Sequence, residues 1–116
     1  AMSGRVTGYA SPGSPERLVI AADELLYIDS VGRRTYLHTK DGETLESPLR
    51  LFELEESLAD SELVRASRQA IVNLDRVRSI RPEPGGRLVL TLDDGTPVLA
   101  TRSHARDIKA LIGITR

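Results

Sequence analysis

A mainly β domain with one or two short helices (α+β) is what this sequence predicts, and three observations carry the prediction. Short runs rich in Val, Ile, Leu, Thr and Tyr follow one another closely, separated by Gly, Pro, Asp and Asn. Two Asp-Gly pairs, Asp41-Gly42 and Asp94-Gly95, sit between such runs, where tight antiparallel turns need residues that tolerate positive φ. A helical period is clear only at Leu51, Leu54 and Leu58 and recurs weakly near the end through Ile108, Leu111 and Ile112. The chain has 116 residues, which fits one domain.

Taken in order, Ala1 before Met2 marks the first residues as a cloning remnant, and residues 3–16, rich in Gly, Ser and Pro, read as a linker. The expected division is therefore 1–16 remnant and linker, and 17–116 domain. Leu18 to Ala21 and Leu25 to Ser30 read as strands broken by Asp23-Glu24. Val31 to Arg34 is a turn carrying two adjacent guanidiniums, and Thr35 to Thr39 pairs through Asp41-Gly42 with Glu43 to Glu46. Ser47-Pro48 supplies the start of an amphipathic helix over Leu49 to Leu58, with Glu53, Glu55 and Glu56 on a face expected to be solvated. Leu63 to Ala66 is a strand, Ser67-Arg68-Gln69 a polar break, and the apolar run from Ala70 turns at Asn73 and Asp75. Asn73 is expected to hydrogen-bond nearby backbone there. Val77 to Arg81, Arg87 to Leu92 and Pro97 to Thr101 complete the strands, with Pro82 to Gly86 expected as a loop and Ser103 to Ile112 as a closing helix.

No apolar run approaches the roughly 20 residues a membrane-spanning helix needs. The start shows no basic region followed by an apolar stretch, as a secretory signal would have. There are no cysteines, which excludes disulfides, thiolate metal sites and cysteine nucleophiles and fits a cytoplasmic setting. Net charge is −1, unevenly spread: residues 1–60 hold 6 basic and 11 acidic groups, residues 61–116 hold 10 and 6. All but Lys40 and Lys109 of the 16 basic residues are Arg, the residue best suited to fork onto phosphates and guanines.

Enzymatic chemistry finds little to use. His38 and His104 have no companions at metal-ligand spacing. Asp93-Asp94-Gly95 opens like a calcium loop but lacks the later ligands, and Gly85-Gly86 neither follows a strand nor leads a helix. Ser67, Ser103 and Thr101 have no activating motif around them, so neither catalysis nor a cofactor is expected. What stands out is Arg in turns and breaks: Arg33, Arg34, Arg68, Arg102 and, just beyond, Arg106. Loop guanidiniums are free to meet a partner, whereas strand residues are committed to the scaffold. With one Phe and three Tyr, a stacking platform for single strands is not available, which leaves duplex DNA or a protein.

The segment Leu63 to Asp75, Leu-Val-Arg-Ala-Ser-Arg-Gln-Ala-Ile-Val-Asn-Leu-Asp, resembles the signature of the LytTR DNA-binding domain family, aromatic-Val-Arg-x-His-Arg-Ser-x-Ile-Val-Asn-x-x-x-Ile. Glu24 to Ser30 is similar to that family's "I-x-Y-I-E" strand, and Tyr36 to Gly42 to its "V-x-L-H-T-x-D-G" hairpin. Leu51 to Leu58 is similar to its Leu-rich helix and Val98 to Arg102 to its "L-x-V-S-R" strand end, so the ordered set spans about residues 17–112. Ser67 stands for the usual His, Gln69 and Thr101 for Ser, and Leu63 for the aromatic, while Arg68 and Arg102 match.

The resemblance implies an elongated β-sheet arrangement, not a helix-turn-helix, that inserts loop side chains into successive major grooves of duplex DNA. The residues at the matching positions are Arg33, Arg34, Ser67, Arg68, Gln69 and Arg102, with Arg106 beside them. It also implies the output domain of a bacterial two-component response regulator: two copies on repeated half-sites, and a receiver or sensor domain upstream. The competing expectation, consistent with the near-zero net charge, is a β-rich module that binds a protein or ligand and has no DNA function.

Overall fold

Strands with period-two alternation need their apolar faces covered, and this chain covers one central sheet from both sides. The computed structural model describes residues 4–114. In chain order the elements are β1 (Arg5–Gly8), β2 (Leu18–Ala21), β3 (Leu25–Val31), β4 (Arg34–Thr39), β5 (Thr44–Ser47), α1 (Leu51–Ser57), β6 (Leu63–Ser67), β7 (Ala70–Asn73), β8 (Val77–Glu83), β9 (Arg87–Leu92), β10 (Pro97–Ala100) and α2 (Arg102–Ile112). The strands form a five-stranded sheet in the order β5-β4-β3-β7-β6, a three-stranded sheet β10-β9-β8 and a two-stranded ribbon β1-β2, with every named pairing antiparallel. The mainly β, two-helix fold class expected from the sequence is the one observed. The molecule is elongated, 47 × 33 × 25 Å.

Adjacent residues of the central strands point to opposite sides. Ile71 belongs to a core built with Leu25, Ile28, Leu37, Leu45, Leu51 and Leu54, on the side of α1 and the ribbon. Its neighbour Val72 belongs to a second core with Leu26, Ala66, Leu88, Leu90, Leu92, Ala105 and Ile108, on the side of the three-stranded sheet and α2. Ile71 and Val72 are both fully buried, so β7 is shared by the two cores.

Most boundaries shift by a residue or two, with Val31 joining β3, Arg34 β4 and Ser67 β6, and α1 beginning at Leu51 rather than Leu49; two further differences have a clear physical reason. The supposed linker contains a strand: Arg5–Gly8 pairs with Leu18–Ala21, and Val6 is buried in the first core. Gly8 approaches so closely that a Cβ there would lie 2.9 Å from Leu45 Cβ, and the Tyr9 and Glu46 backbones then exchange hydrogen bonds in both directions. The Gly was read as linker composition, but its lack of a side chain is what lets β1 dock. Residues 1–3 lie outside the described residues. Pro82 and Glu83, expected in a loop, extend β8 instead, with Pro82 opposite Leu88. This is tolerated because β8 is an edge strand, where a missing N–H can face solvent.

Asn73 behaves as expected and does more. Its Oδ1 accepts from Asp75 N–H at 3.0 Å, fixing the turn after β7, while its Nδ2 donates to the Leu25 carbonyl at 2.8 Å. It is 1% exposed. Asn73→Ala leaves a buried carbonyl without its donor and is expected to lower stability by about 1–3 kcal/mol. Urea unfolding should show this as a lower midpoint with an unchanged slope.

Candidate nucleic-acid interface

Two backbone hydrogen bonds bring two turns and the start of α2 alongside one another. Ser30 N–H donates to the Gln69 carbonyl at 2.9 Å, which brings the β3–β4 turn alongside the β6–β7 turn. Thr101 N–H donates to the Ala66 carbonyl at 2.9 Å, which sets the start of α2 against the end of β6. The segments carrying Arg33 and Arg34, Ser67-Arg68-Gln69, and Arg102 are thereby neighbours although they are spread over the chain, but Arg34 opens β4 and Arg102 and Arg106 lie in α2 rather than in turns or breaks.

Their placements differ. Arg33, Arg68, Gln69, Arg102 and Arg106 are exposed. Among the described residues none of those four arginines makes an ion pair, whereas Arg34 pairs with Glu46 across the β4–β5 strands at 3.3 Å. Ser67 departs from the rest: it is 9% exposed, and its Oγ accepts from Gln69 N–H at 3.2 Å, so its hydroxyl is engaged in shaping the turn. Arg102 and Arg106 are one helical turn apart and share a face. Gly86 leaves room for the Arg102 stem, since a Cβ on it would lie 3.1 Å from Arg102 Cγ. Lys109 lines the same shallow groove as Arg102 and Arg106, so the α2 face carries three cations in succession. Sequence reading passed over Lys109; its spacing from Arg102 and Arg106 was the available signal.

Arg65 was passed over as well, because it reads as an ordinary strand residue. It stands directly opposite Ile71 in the β6–β7 pairing and so faces α1. Its Nε and Nη2 donate to Glu55 Oε1 at 3.1 and 3.0 Å, and its Nη1 donates to the Arg68 carbonyl at 3.0 Å, with a longer 3.4 Å approach to the Ser67 carbonyl. Glu55 is thus tied to the β6–β7 turn, which corrects the expectation of a wholly solvated acidic helix face. Glu55, Arg65, Ser67, Arg68 and His104 line one shallow hollow.

Both histidines are held by local polar contacts. His38 Nε2 lies 2.7 Å from Asp29 Oδ1, and its ring stacks on Tyr27 with centroids 4.1 Å apart. His104 Nδ1 lies 3.2 Å from Thr101 Oγ1 at the start of α2. Burial, reinforced by the nearby carboxylates of Asp29 and Asp94, pushes the Tyr27 phenol above its ordinary value and keeps it neutral. The Thr96 backbone N–H, donating to Asp94, holds that carboxyl below its ordinary value. These contacts fasten the scaffold behind the loops. Arg68, Arg102, Arg106 and Lys109 line open, shallow hollows, and cations of that kind suit a polyanion's phosphates.

Comparison with known proteins agrees with that chemistry. The model of the LytTr DNA-binding domain family matches residues 16–113. The chain belongs to this family. A solved LytTr DNA-binding domain from Bacillus cereus superposes with a TM-score of 0.83 at 25% identity, covering 96% of this chain and 98% of that one. The sensory transduction protein LytT of Bacillus subtilis (strain 168) is 24% identical over 112 residues, 90% of this chain and 46% of that protein. The chain thus spans about half the length of that relative. The LytTr assignment makes DNA binding the function class of the fold. Among the described residues, no helix is long and apolar enough to cross a membrane.

Proposed function

We propose that this LytTr domain binds duplex DNA at a specific sequence, as the output domain of a bacterial transcriptional regulator acting in the cytoplasm. The observation that carries this reading is the placing of two arginine-bearing turns and the start of α2 side by side by the Ser30–Gln69 and Thr101–Ala66 backbone bonds. Arg68 and Arg102 each present a free guanidinium that can fork onto guanine O6 and N7, and Gln69 can pair with adenine. Arg33, Arg34 and Arg106 meet phosphates and set the register, and Ser67 acts through the shape of the turn. Two copies occupy repeated half-sites, and a receiver or sensor domain upstream governs when they do. This role needs no catalysis and no cofactor.

Selection from a random duplex pool, followed by titrations at several salt concentrations, tests the reading. The expected result is a repeated motif whose binding weakens steeply with salt, the slope rising by about 0.9 per phosphate neutralised. Salt-sensitive binding without a motif would reduce the domain to a phosphate binder. Absence of binding at low salt would favour a protein-binding module on the same scaffold.

A further inference from the structure

We propose that Arg65 and Glu55 form a strut that sets the geometry of the Ser67-Arg68-Gln69 turn, and that both residues determine DNA specificity without touching DNA. The inference rests on the duplex-DNA reading above and adds a positioning layer behind it. An Arg on a strand that leads into a DNA-facing turn would ordinarily be taken for a phosphate contact. The geometry points elsewhere. Arg65 has five N–H donors; Nε and one from Nη2 go to Glu55, and Nη1 is aimed at the turn's carbonyls. Its side chain is only 16% exposed, against 46% for Glu55. The guanidinium is therefore turned inward, between α1 and the turn.

The turn has few other ties. The β6–β7 register shifts between Arg65 and Ser67, so the ladder is irregular where the turn begins. Within the turn, Gln69 N–H reaches Ser67 Oγ at 3.2 Å, and Ser30 holds the Gln69 carbonyl from the β3 side. The Arg68 carbonyl is held by Arg65, and Arg65 is held by Glu55. Glu55 in turn sits on α1, whose Leu51 and Leu54 are anchored in the first core. The strut thus transmits the position of a packed helix to the backbone of Arg68. A half-exposed ion pair contributes little to stability, so its expected effect lies in the alignment of the Arg68 side chain.

The sign of one substitution separates this from the alternatives. Glu55→Gln removes a negative charge near a surface that meets phosphates. If Glu55 acts only as a charge, binding tightens on every duplex. If it is part of the strut, binding to the selected motif weakens, by roughly 10-fold, while binding to a random-sequence duplex of the same length holds or tightens. Arg65→Gln should weaken motif binding similarly, leave the salt slope within about 0.3 of the parent, and combine non-additively with Glu55→Gln. In the free protein, both variants should speed amide exchange at Gln69 by roughly 10-fold through local opening, which requires no DNA. Equal tightening on both duplexes with Glu55→Gln, or a salt slope lower by about 0.9 with Arg65→Gln, would overturn the strut. Failure of the parent protein to select any motif would instead take down the DNA reading and the proposal with it.

Discussion

Arg102→Ala is expected to weaken binding of the selected DNA site by about 1–3 kcal/mol, on the order of 5- to 160-fold, and to relax preference at one base position. Arg102 opens α2, is exposed, and makes no ion pair among the described residues, so its guanidinium enters the complex with no intramolecular partner to lose. Its stem lies against Gly86, which limits the directions it can take. A bidentate contact to guanine requires that kind of restraint, because both N–H groups must align with one base edge. Arg68→Ala should behave in the same way at a different position. The check is a titration against the selected site and against each single-base variant of it. A uniform loss on every sequence, with a salt slope smaller by about 0.9, would make the residue a phosphate contact. Arg34→Ala is expected to do less, because Arg34 is already committed to Glu46.

Ile71→Ala is expected to be the most damaging to the fold, lowering stability by about 2–5 kcal/mol through lost burial and a residual cavity. For a domain of this size that corresponds to a fall in Tm of roughly 8–20 °C. Ile71 is fully buried, pairs with Ile28 on β3 and stands opposite Arg65 on β6, so neighbours on a central strand cannot collapse into the space. Val72→Ala empties the opposite core instead and should also destabilise. Leu111→Ala, at a residue 63% exposed on α2, should stay within about 0.5 kcal/mol of the parent. Thermal and urea unfolding of the three variants checks the order. Equal effects for Ile71 and Leu111 would contradict the two-core arrangement.

Much of the fold was readable along the chain because its signals are local. Asp41-Gly42 and Asp94-Gly95 mark their turns by backbone chemistry alone, and Leu51, Leu54 and Leu58 mark α1 by their period. Asn73 announced its turn because an Asn side chain reaches backbone two residues on. β1 was missed because Val6 is its only buried hydrophobic side chain, in a stretch whose composition says linker; only Leu18–Ala21 lying alongside makes it a strand. The end of β8 was missed because Pro82 reads as a breaker unless the strand is known to lie at an edge.

The candidate interface divides along the same line. Residue type and loop position were enough to single out Arg33, Arg34, Arg68, Arg102 and Arg106, since a guanidinium in a turn needs no knowledge of neighbours to be available. Which of them are free depends on what folds beside them: Arg34 meets Glu46 on the adjacent strand, and Ser67 is buried with its hydroxyl engaged. Arg65 and Lys109 acquire meaning only when α1 lies over β6 and α2 presents one face. By itself the sequence determined most of the strands, the Asp-Gly turns, α1 and the chemistry on offer, because these follow from bonds and periods within a few residues. Tertiary structure decided the meeting of two distant turns with the start of α2, the inward aim of Arg65 and the double burial of β7, because each depends on contacts between residues far apart in the chain.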